Sequence, residues 1–309
     1  MTVIEWDEYC EAFSGVGVQI LATAQDEQFL SRAVNSFTAL PSTVFGDAEG
    51  GIVRWLSKEE TPDNHLGAIV QLWITGTNEK AREKLYDRLG RRMRQGILVV
   101  PTTAVFNAMP MEGDGEFDVM NNVGHCGDGY EEVIEVYGKK MISVPIMMGY
   151  DFLVEEKISY IKGIMGGNLW LFCDSVDSGI KVGRKAVEIF AEIDNVCTTF
   201  DVCSAGSKPV PSDAKYPEIG PPTNHYFCPT LKDKLSPGEY KVPEGCKSIP
   251  EIVFNALDLD SIKKAMKRVI NELDGMEGLQ KISTGNYGGK LGKYKIYLND
   301  LKNLKTTNI

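Results

Sequence analysis

The chain has 309 residues, 43 % of them apolar and 25 % charged, with a formal net charge of −10. That is ordinary globular composition, long enough for two domains, and too acidic for a general nucleic-acid surface, which needs a net basic face. Seven cysteines without a C-x-x-C pair argue against a disulfide framework or zinc ribbon, and His65, His125 and His225 are too far apart in sequence to seed a metal site. No basic region followed by an apolar core opens the sequence, and no window reaches the roughly twenty apolar residues of a membrane span. A soluble cytoplasmic protein with reduced thiols, no nucleic acid and no membrane partner is the expectation.

Residues 17–24 read as an apolar strand and 25–38 as a helix, with Phe29, Leu30, Ala33, Val34 and Phe37 at helical spacing before Pro41. Strands are expected at 51–56 and 68–74, on either side of a loop carrying Thr61-Pro62-Asp63. Asn78 caps a second helix whose stripe is Ala81, Leu85, Leu89 and Met93; Gly96 ends it, and 97–100 reads as a buried strand. Residues 109–128 are glycine-rich and acidic, hence a loop, and 130–137 with 140–146 form a hairpin around Gly138-Lys139.

The second half repeats the plan. A strand at 169–173 leads to a helix capped by Asp174 or Ser175, with Ile180, Gly183, Val187, Phe190, Ala191 and Asp194 on one side, and then to an extended segment at 197–202. Residues 204–250 hold nine prolines and no periodicity, which marks a long functional or disordered stretch; Asn224-His225-Tyr226-Phe227-Cys228 argues against disorder. A strand at 251–257, a helix at 261–273 with Ile262, Ala265, Met266, Val269, Ile270 and Leu273 inward, and strands at 281–283 and 293–298 complete it. Strand, helix, two strands, helix, strand is the order of a ferredoxin-like sandwich. The predicted fold class is α+β, two similar ferredoxin-like α/β sandwich lobes divided into residues 1–149 and 150–309.

Between the last two strands, glycines fall at 285, 288, 289 and 292. This is no Walker loop, because Thr284 stands where a glycine is required and Leu291 follows Lys290. It reads as a glycine-rich hairpin, or as a turn whose amides hold an anionic ligand with Lys208, Lys290 and Lys293. Glu251 lies between Ile249-Pro250 and Ile252-Val253-Phe254, and alternation puts it on the face of Ile249 and Val253. Buried there, its charged form is disfavoured and it becomes a proton donor near neutrality; at a sheet edge it simply meets solvent. Gly127-Asp128-Gly129-Tyr130 and Gly166-Gly167-Asn168 are tight turns or binding loops. No Ser/His/Asp elbow is present, and Cys228 lacks a nucleophile's surroundings.

Several segments in one order along the chain resemble formylmethanofuran:tetrahydromethanopterin formyltransferases. They are Thr61-Pro62-Asp63, residues 101–108 (Pro101-Thr102-Thr103-Ala104-Val105-Phe106-Asn107-Ala108), Gly127 to Glu132, Gly166-Gly167-Asn168, Ser204 to Lys208, Thr223-Asn224, residues 227–231, Glu251-Ile252-Val253 and the glycine run from Lys281 to Leu298. The resemblance implies a proximal N-terminal and a distal C-terminal lobe and a homo-oligomer, a tetramer built as a dimer of dimers. It implies no metal or bound cofactor, and formylmethanofuran and tetrahydromethanopterin as coenzyme substrates. It also implies Glu251 as the catalytic acid and substrate binding at Asp128, Tyr130, Asn168, Ser207, Lys208, Asn224, Lys290 and Lys293. The sequence departs from the family pattern after Asp63, where Asn64-His65-Leu66 replaces Gly-Arg-Pro, and at Asp201-Val202-Cys203, where a Pro-Gly-Gly run is usual. A non-catalytic paralogue, or a formyltransferase subunit of a formyl hydrolase complex, are the alternative functions.

Overall fold

A computed structural model describes residues 2–40, 46–208, 215–216, 218, 222–289, 292–302 and 304. In chain order the first elements are β1 (Val3–Ile4), β2 (Tyr9–Ala24), α1 (Glu27–Thr38), β3 (Glu49–Leu56), β4 (Leu66–Thr75), α2 (Glu79–Arg92) and β5 (Ala104–Asn107). Then come β6 (Gly115–Asp118), β7 (Glu132–Val136), β8 (Lys139–Pro145), β9 (Asp151–Glu155) and β10 (Lys157–Cys173). The C-terminal elements are α3 (Val176–Ala191), β11 (Val196–Thr198), β12 (Glu251–Ala256), α4 (Leu259–Leu273), β13 (Leu279–Ser283), β14 (Tyr294–Tyr297) and α5 (Leu298–Lys302). The fold is mixed α/β.

Backbone contacts separate Ser14–Gly163 from a unit made of Met1–Phe13 and Ile164–Ile309. The expected cut at 149/150 therefore differs from the observed one at both ends. Residues 1–13 join the C-terminal unit because β1 pairs with β13 and the start of β2, Tyr9 to Ala12, pairs with β14. The chain changes unit inside the long strands β2 and β10, not in a linker.

In the Ser14–Gly163 unit the strands lie in the order β3-β4-β2-β5-β9-β8-β7. Helices α1 and α2 bury Leu30, Val34, Phe37, Leu85 and Leu89 against Val18, Ile20, Val70 and Leu72 of the sheet. Each helix starts where the side chains of Asp26 and Asn78 accept the amides of Phe29 and Ala81. The expected strand at 97–100 is instead the end of the second helix, widened over Met93–Leu98, and the strand begins at Ala104. The apolar run there is a buried helix end, closed by the Thr103 hydroxyl on the carbonyls of Ile97 and Val100. The hairpin turns at Tyr137-Gly138, both with positive φ, as a two-residue connection matching strand twist requires.

The other unit has the order β1-β13-β10-β12-β11. Leu169, Leu171 and Cys173 of β10 and Ile252, Phe254 and Ala256 of β12 pack under α3 and α4, whose buried stripe includes Ile262, Met266, Val269 and Leu273. Period-two alternation therefore turns Asn168, Trp170, Phe172 and Glu251 to the opposite face, which residues 222–250 help to cover. The expected hairpin across the glycine run is not one. β13 pairs with β1 and β10, β14 pairs with β2, and β13 and β14 do not pair among the described residues.

One buried polar chain sets register in the Ser14–Gly163 unit. Trp73 Nε1 donates to Gln71 Oε1, Gln71 Nε2 to Gln19 Oε1 and Gln19 Nε2 to the Ala108 carbonyl, at 2.9, 2.8 and 2.8 Å. Gln19 and Gln71 are direct cross-strand partners. A one-residue slip would break the chain, so it specifies pairing as well as stability. Gln71→Leu leaves the Trp73 donor and the Gln19 acceptor unsatisfied, and unfolding in urea is expected to show a loss of about 2–4 kcal/mol.

Candidate active site

Glu251 opens β12 directly opposite Trp170 of β10, and its backbone exchanges two hydrogen bonds with Cys203, at 2.8 and 2.9 Å. Its side chain is 5 % exposed. Asn168 Nδ2 donates to Glu251 Oε1 at 2.7 Å and Trp170 Nε1 donates to the same oxygen at 3.0 Å. Burial pushes the carboxyl above the ordinary glutamate range, although hydrogen bonds from Trp170, Asn168 and Cys203 favour the ionised form. The outcome is a buried carboxyl whose neutral form is favoured by desolvation and which donors still orient.

The Asn168 amide is itself fixed. Its Oδ1 accepts the Gly285 amide at 3.1 Å and faces the Thr284 hydroxyl at 2.9 Å. Because a backbone N–H must meet an oxygen, the amide can only turn its nitrogen to Glu251. Gly285 is required for this approach, since a β-carbon there would lie 2.7 Å from Asn168 Nδ2.

The glycine run does hold an anion, but one of the protein's own. Glu11, on β2 and 2 % exposed, accepts the amides of Tyr287 and Gly289 on Oε1, both at 2.6 Å, and that of Gly292 on Oε2 at 2.9 Å. Gly288 and Gly289 both have positive φ, which lets successive N–H groups converge on the carboxylate. The amides expected to hold a substrate anion are therefore occupied by Glu11. The turn places Tyr287 so that its hydroxyl donates to the Ser207 carbonyl at 3.2 Å. Burial, with the Glu251 charge second, pushes that phenol well above its usual range.

A cleft of about 470 Å³ opens beside this cluster, lined by Trp170, Gly206, Asn224, Phe227, Lys247 and Glu251 among others. Its volume suits a small organic ligand. Trp170 and Phe227 pack with ring centroids 4.8 Å apart. Asn224 brings a buried Oδ1 to the cleft that has no hydrogen-bond partner among the described residues.

Of the residues singled out in the sequence, Glu251, Asn168 and Asn224 meet at or beside this cleft. Ser207, next to the cleft-lining Gly206, accepts the Tyr287 hydroxyl on its carbonyl but does not itself line the cleft, and Lys208 sits with its ammonium 4.9 Å above the Tyr226 ring. Lys293 is exposed beside Tyr294, and Lys290 lies outside the described residues. Asp128 and Tyr130 belong to the Ser14–Gly163 unit, Asp128 in a left-handed turn and Tyr130 79 % exposed. Sequence reasoning missed Glu11, Trp170, Cys203, Thr284 and Tyr287. A lone acid among the apolar residues Cys10, Ala12 and Phe13 was the available signal for Glu11. Among the described residues no group of three or more His, Cys, Asp or Glu is placed to hold a metal ion, and no helix is long and apolar enough to cross a membrane.

Fold and site together define a mixed α/β protein that sets a buried carboxyl, its neutral form favoured by desolvation, into the wall of a ligand-sized cleft. Residues 2–146 match the family model for formylmethanofuran-tetrahydromethanopterin formyltransferase, and residues 150–301 match its companion, described as the proximal lobe. The name proximal thus belongs to the C-terminal lobe, not to the N-terminal one as expected from sequence. The chain is a member of the formylmethanofuran–tetrahydromethanopterin formyltransferase family. It is 52 % identical to a formylmethanofuran–tetrahydromethanopterin formyltransferase-like protein of Archaeoglobus fulgidus, over 96 % of this chain and 95 % of that one. The solved formyltransferase of Methanosarcina barkeri superposes with a TM-score of 0.87 at 38 % identity, covering 97 % of this chain and 98 % of the other. A chain of the formyltransferase/hydrolase complex of Methylorubrum extorquens, solved with methylofuran, superposes at 0.81 with 28 % identity, covering 96 % and 95 %.

Two outcomes follow for the buried carboxylates. The folded-state value of Glu251 is raised, so its contribution to stability is complete below the ordinary glutamate range and is lost as pH rises through the raised value. Glu251→Gln, which mimics the neutral acid, should therefore gain in melting temperature relative to the parent as pH rises through that window; a constant gap across pH would show that Glu251 does not titrate this way. Glu11→Gln places an NH2 group against the Gly292 amide and is expected to lower stability in urea by about 1–3 kcal/mol.

Proposed function

We propose that this protein transfers a formyl group reversibly between formylmethanofuran and N5 of tetrahydromethanopterin. Family membership along nearly the whole chain supports the reaction, and the observation that carries its chemistry is the buried, donor-oriented Glu251 carboxyl at the cleft wall, whose proton affinity burial raises. When the N5 amine attacks the formamide carbon, the C=O electron pair moves onto oxygen and an oxyanion develops. A carboxylic O–H aimed at that oxygen stabilises it, and most strongly in a site where water is scarce. Collapse of the tetrahedral adduct re-forms the C=O bond and releases the methanofuran nitrogen, which takes up the proton that N5 gives up. Glu251 ends as it began, and no covalent enzyme intermediate is needed.

Substrate contacts are assigned within the same reading to Asn224 of the cleft, to Ser207 and Lys208 next to it in sequence, to Lys290 and Lys293 of the glycine-rich segment, and to Asp128 and Tyr130 of the other unit. Both coenzymes enter as substrates, with no bound cofactor. The strand orders β3-β4-β2-β5 and β11-β12-β10-β13, each with two helices, support two ferredoxin-like lobes. Work in the cytoplasm as a homotetramer, a dimer of dimers, completes the proposal. The name of the 52 %-identical relative, formyltransferase-like, favours a second reading in which the chain binds a coenzyme without turnover.

Purified protein supplied with both coenzymes is expected to turn over, and Glu251→Gln to lose about 10²-fold or more in kcat. Coenzyme binding without turnover by the parent would establish the second reading; full activity in Glu251→Gln would remove Glu251 from the reaction.

A further inference from the structure

We propose that Asn168 and Trp170 are positioning residues that confine the acidic hydrogen of Glu251 to Oε2, the oxygen turned toward Gly206 and the cleft. The proposal rests on the reading of Glu251 as the acid and adds which of its two oxygens does the work. Oε1 receives the Asn168 amide at 2.7 Å and the Trp170 indole N–H at 3.0 Å. A hydrogen on Oε1 would leave that oxygen a donor facing two donors that cannot reverse, whereas on Oε2 it leaves Oε1 a carbonyl with both acceptor sites used; the Cys203 thiol, which also bonds this carboxyl, can turn a sulfur lone pair to it instead. Neither donor can reverse. Indole has no acceptor, and the Asn168 amide is locked by the Gly285 N–H on its Oδ1. Oε2 faces the loop side, where a β-carbon built on Gly206 would stand 3.2 Å from it, and both Gly206 and Glu251 line the cleft.

The consequence is regiochemical. An unconstrained carboxylic acid distributes its hydrogen over both oxygens by rotation, so for part of the time it presents a lone pair to the developing oxyanion. Here the two N–H groups make one arrangement the ground state before substrate arrives, which is the preorganisation that electrostatic catalysis depends on. The same two donors oppose burial in setting the proton affinity, because they favour the ionised carboxylate.

The other titratable groups facing Glu251 are the thiols of Cys203 and Cys10 and the Tyr287 phenol. Burial raises both thiols, Cys10 to about 11, and raises the phenol, so burial favours the neutral form of all three.

The test uses the full-length protein with its glutamates isotopically labelled at the side-chain carboxyl, and the variants Trp170→Phe, Asn168→Ala and Glu251→Gln. The C=O stretch of protonated Glu251 is read by infrared difference spectroscopy as the labelled carboxylic band that Glu251→Gln lacks. In Trp170→Phe and Asn168→Ala the carbonyl Oε1 loses one donor, and the band is expected to move to higher wavenumber. The basic limb of the kcat profile should move to higher pH in Trp170→Phe, since a group favouring the charged form is gone. Asn168→Ala should lose about tenfold or more in kcat, with KM changed by less than about threefold. If Asn168→Ala does not fold, Trp170→Phe, which keeps a ring against Phe227, decides alone. Unmoved band and pH limb in a Trp170→Phe protein, with Glu251→Gln inactive, would overturn the proposal and leave the acid reading standing. An active Glu251→Gln would instead overturn the acid reading on which it rests.

Discussion

A carboxyl group removed from water and met by N–H donors instead of a cation is the constraint that the C-terminal unit answers. Desolvation alone would leave Glu251 neutral but free to rotate; a salt bridge would orient it but hold it ionised. Two neutral donors on one oxygen provide orientation without the fixed positive charge that would hold the group ionised. Each donor needs a strand position on the face away from the helices, and β10 supplies two such positions at Asn168 and Trp170. The adjoining strand β13 supplies Ser283 opposite Trp170, and its continuation, Thr284 and Gly285, closes on Asn168.

The glycine turn serves that arrangement from behind. Its amides converge on Glu11, so the segment is held by an internal carboxylate rather than by a ligand. The segment held in this way begins with Thr284 and Gly285, which lock Asn168, and contains Tyr287, which ties down Ser207. A buried acid on β2 is thus linked through one turn to the orientation of another on β12. Two carboxyl groups in one unit have opposite tasks because one has both oxygens bound by three backbone amides and the other has two side-chain N–H donors on one oxygen at the wall of a cleft.

Much of this was legible in sequence where the pattern is local. The helical stripes at Leu30, Val34 and Phe37 and at Ile262, Met266 and Val269 fall where expected, and so do the caps at Asn78 and Ser175, while the caps at Asp26 and Asp258 come from the structure. The period-two placement of Glu251 away from Ile252 and Phe254 also holds, since those two are core and Glu251 is not. Residues 97–100 misled because an apolar run of four has no period of its own; a widened helix end and a strand look alike until the Thr103 cap is seen. The glycine hairpin misled for a different reason. Two short strands joined by glycines pair by default, unless each finds a better partner elsewhere, and here β13 finds β10 and β1 while β14 finds β2.

By itself the sequence determined the helices, the alternating faces of the strands and the setting of Glu251 among apolar neighbours, because each of these is written within a few residues. Tertiary structure alone decided what surrounds that carboxyl. Asn168, Trp170, Cys203, Thr284 and Tyr287 come from segments up to about a hundred and twenty residues apart, and only strand pairing brings β10, β12 and β13 side by side. It also decided that the amides of the glycine turn belong to Glu11, 276 residues from Tyr287 in sequence. Hydrogen-bond geometry of this kind depends on distances set by sheet register, and no local pattern encodes which residues register will place together.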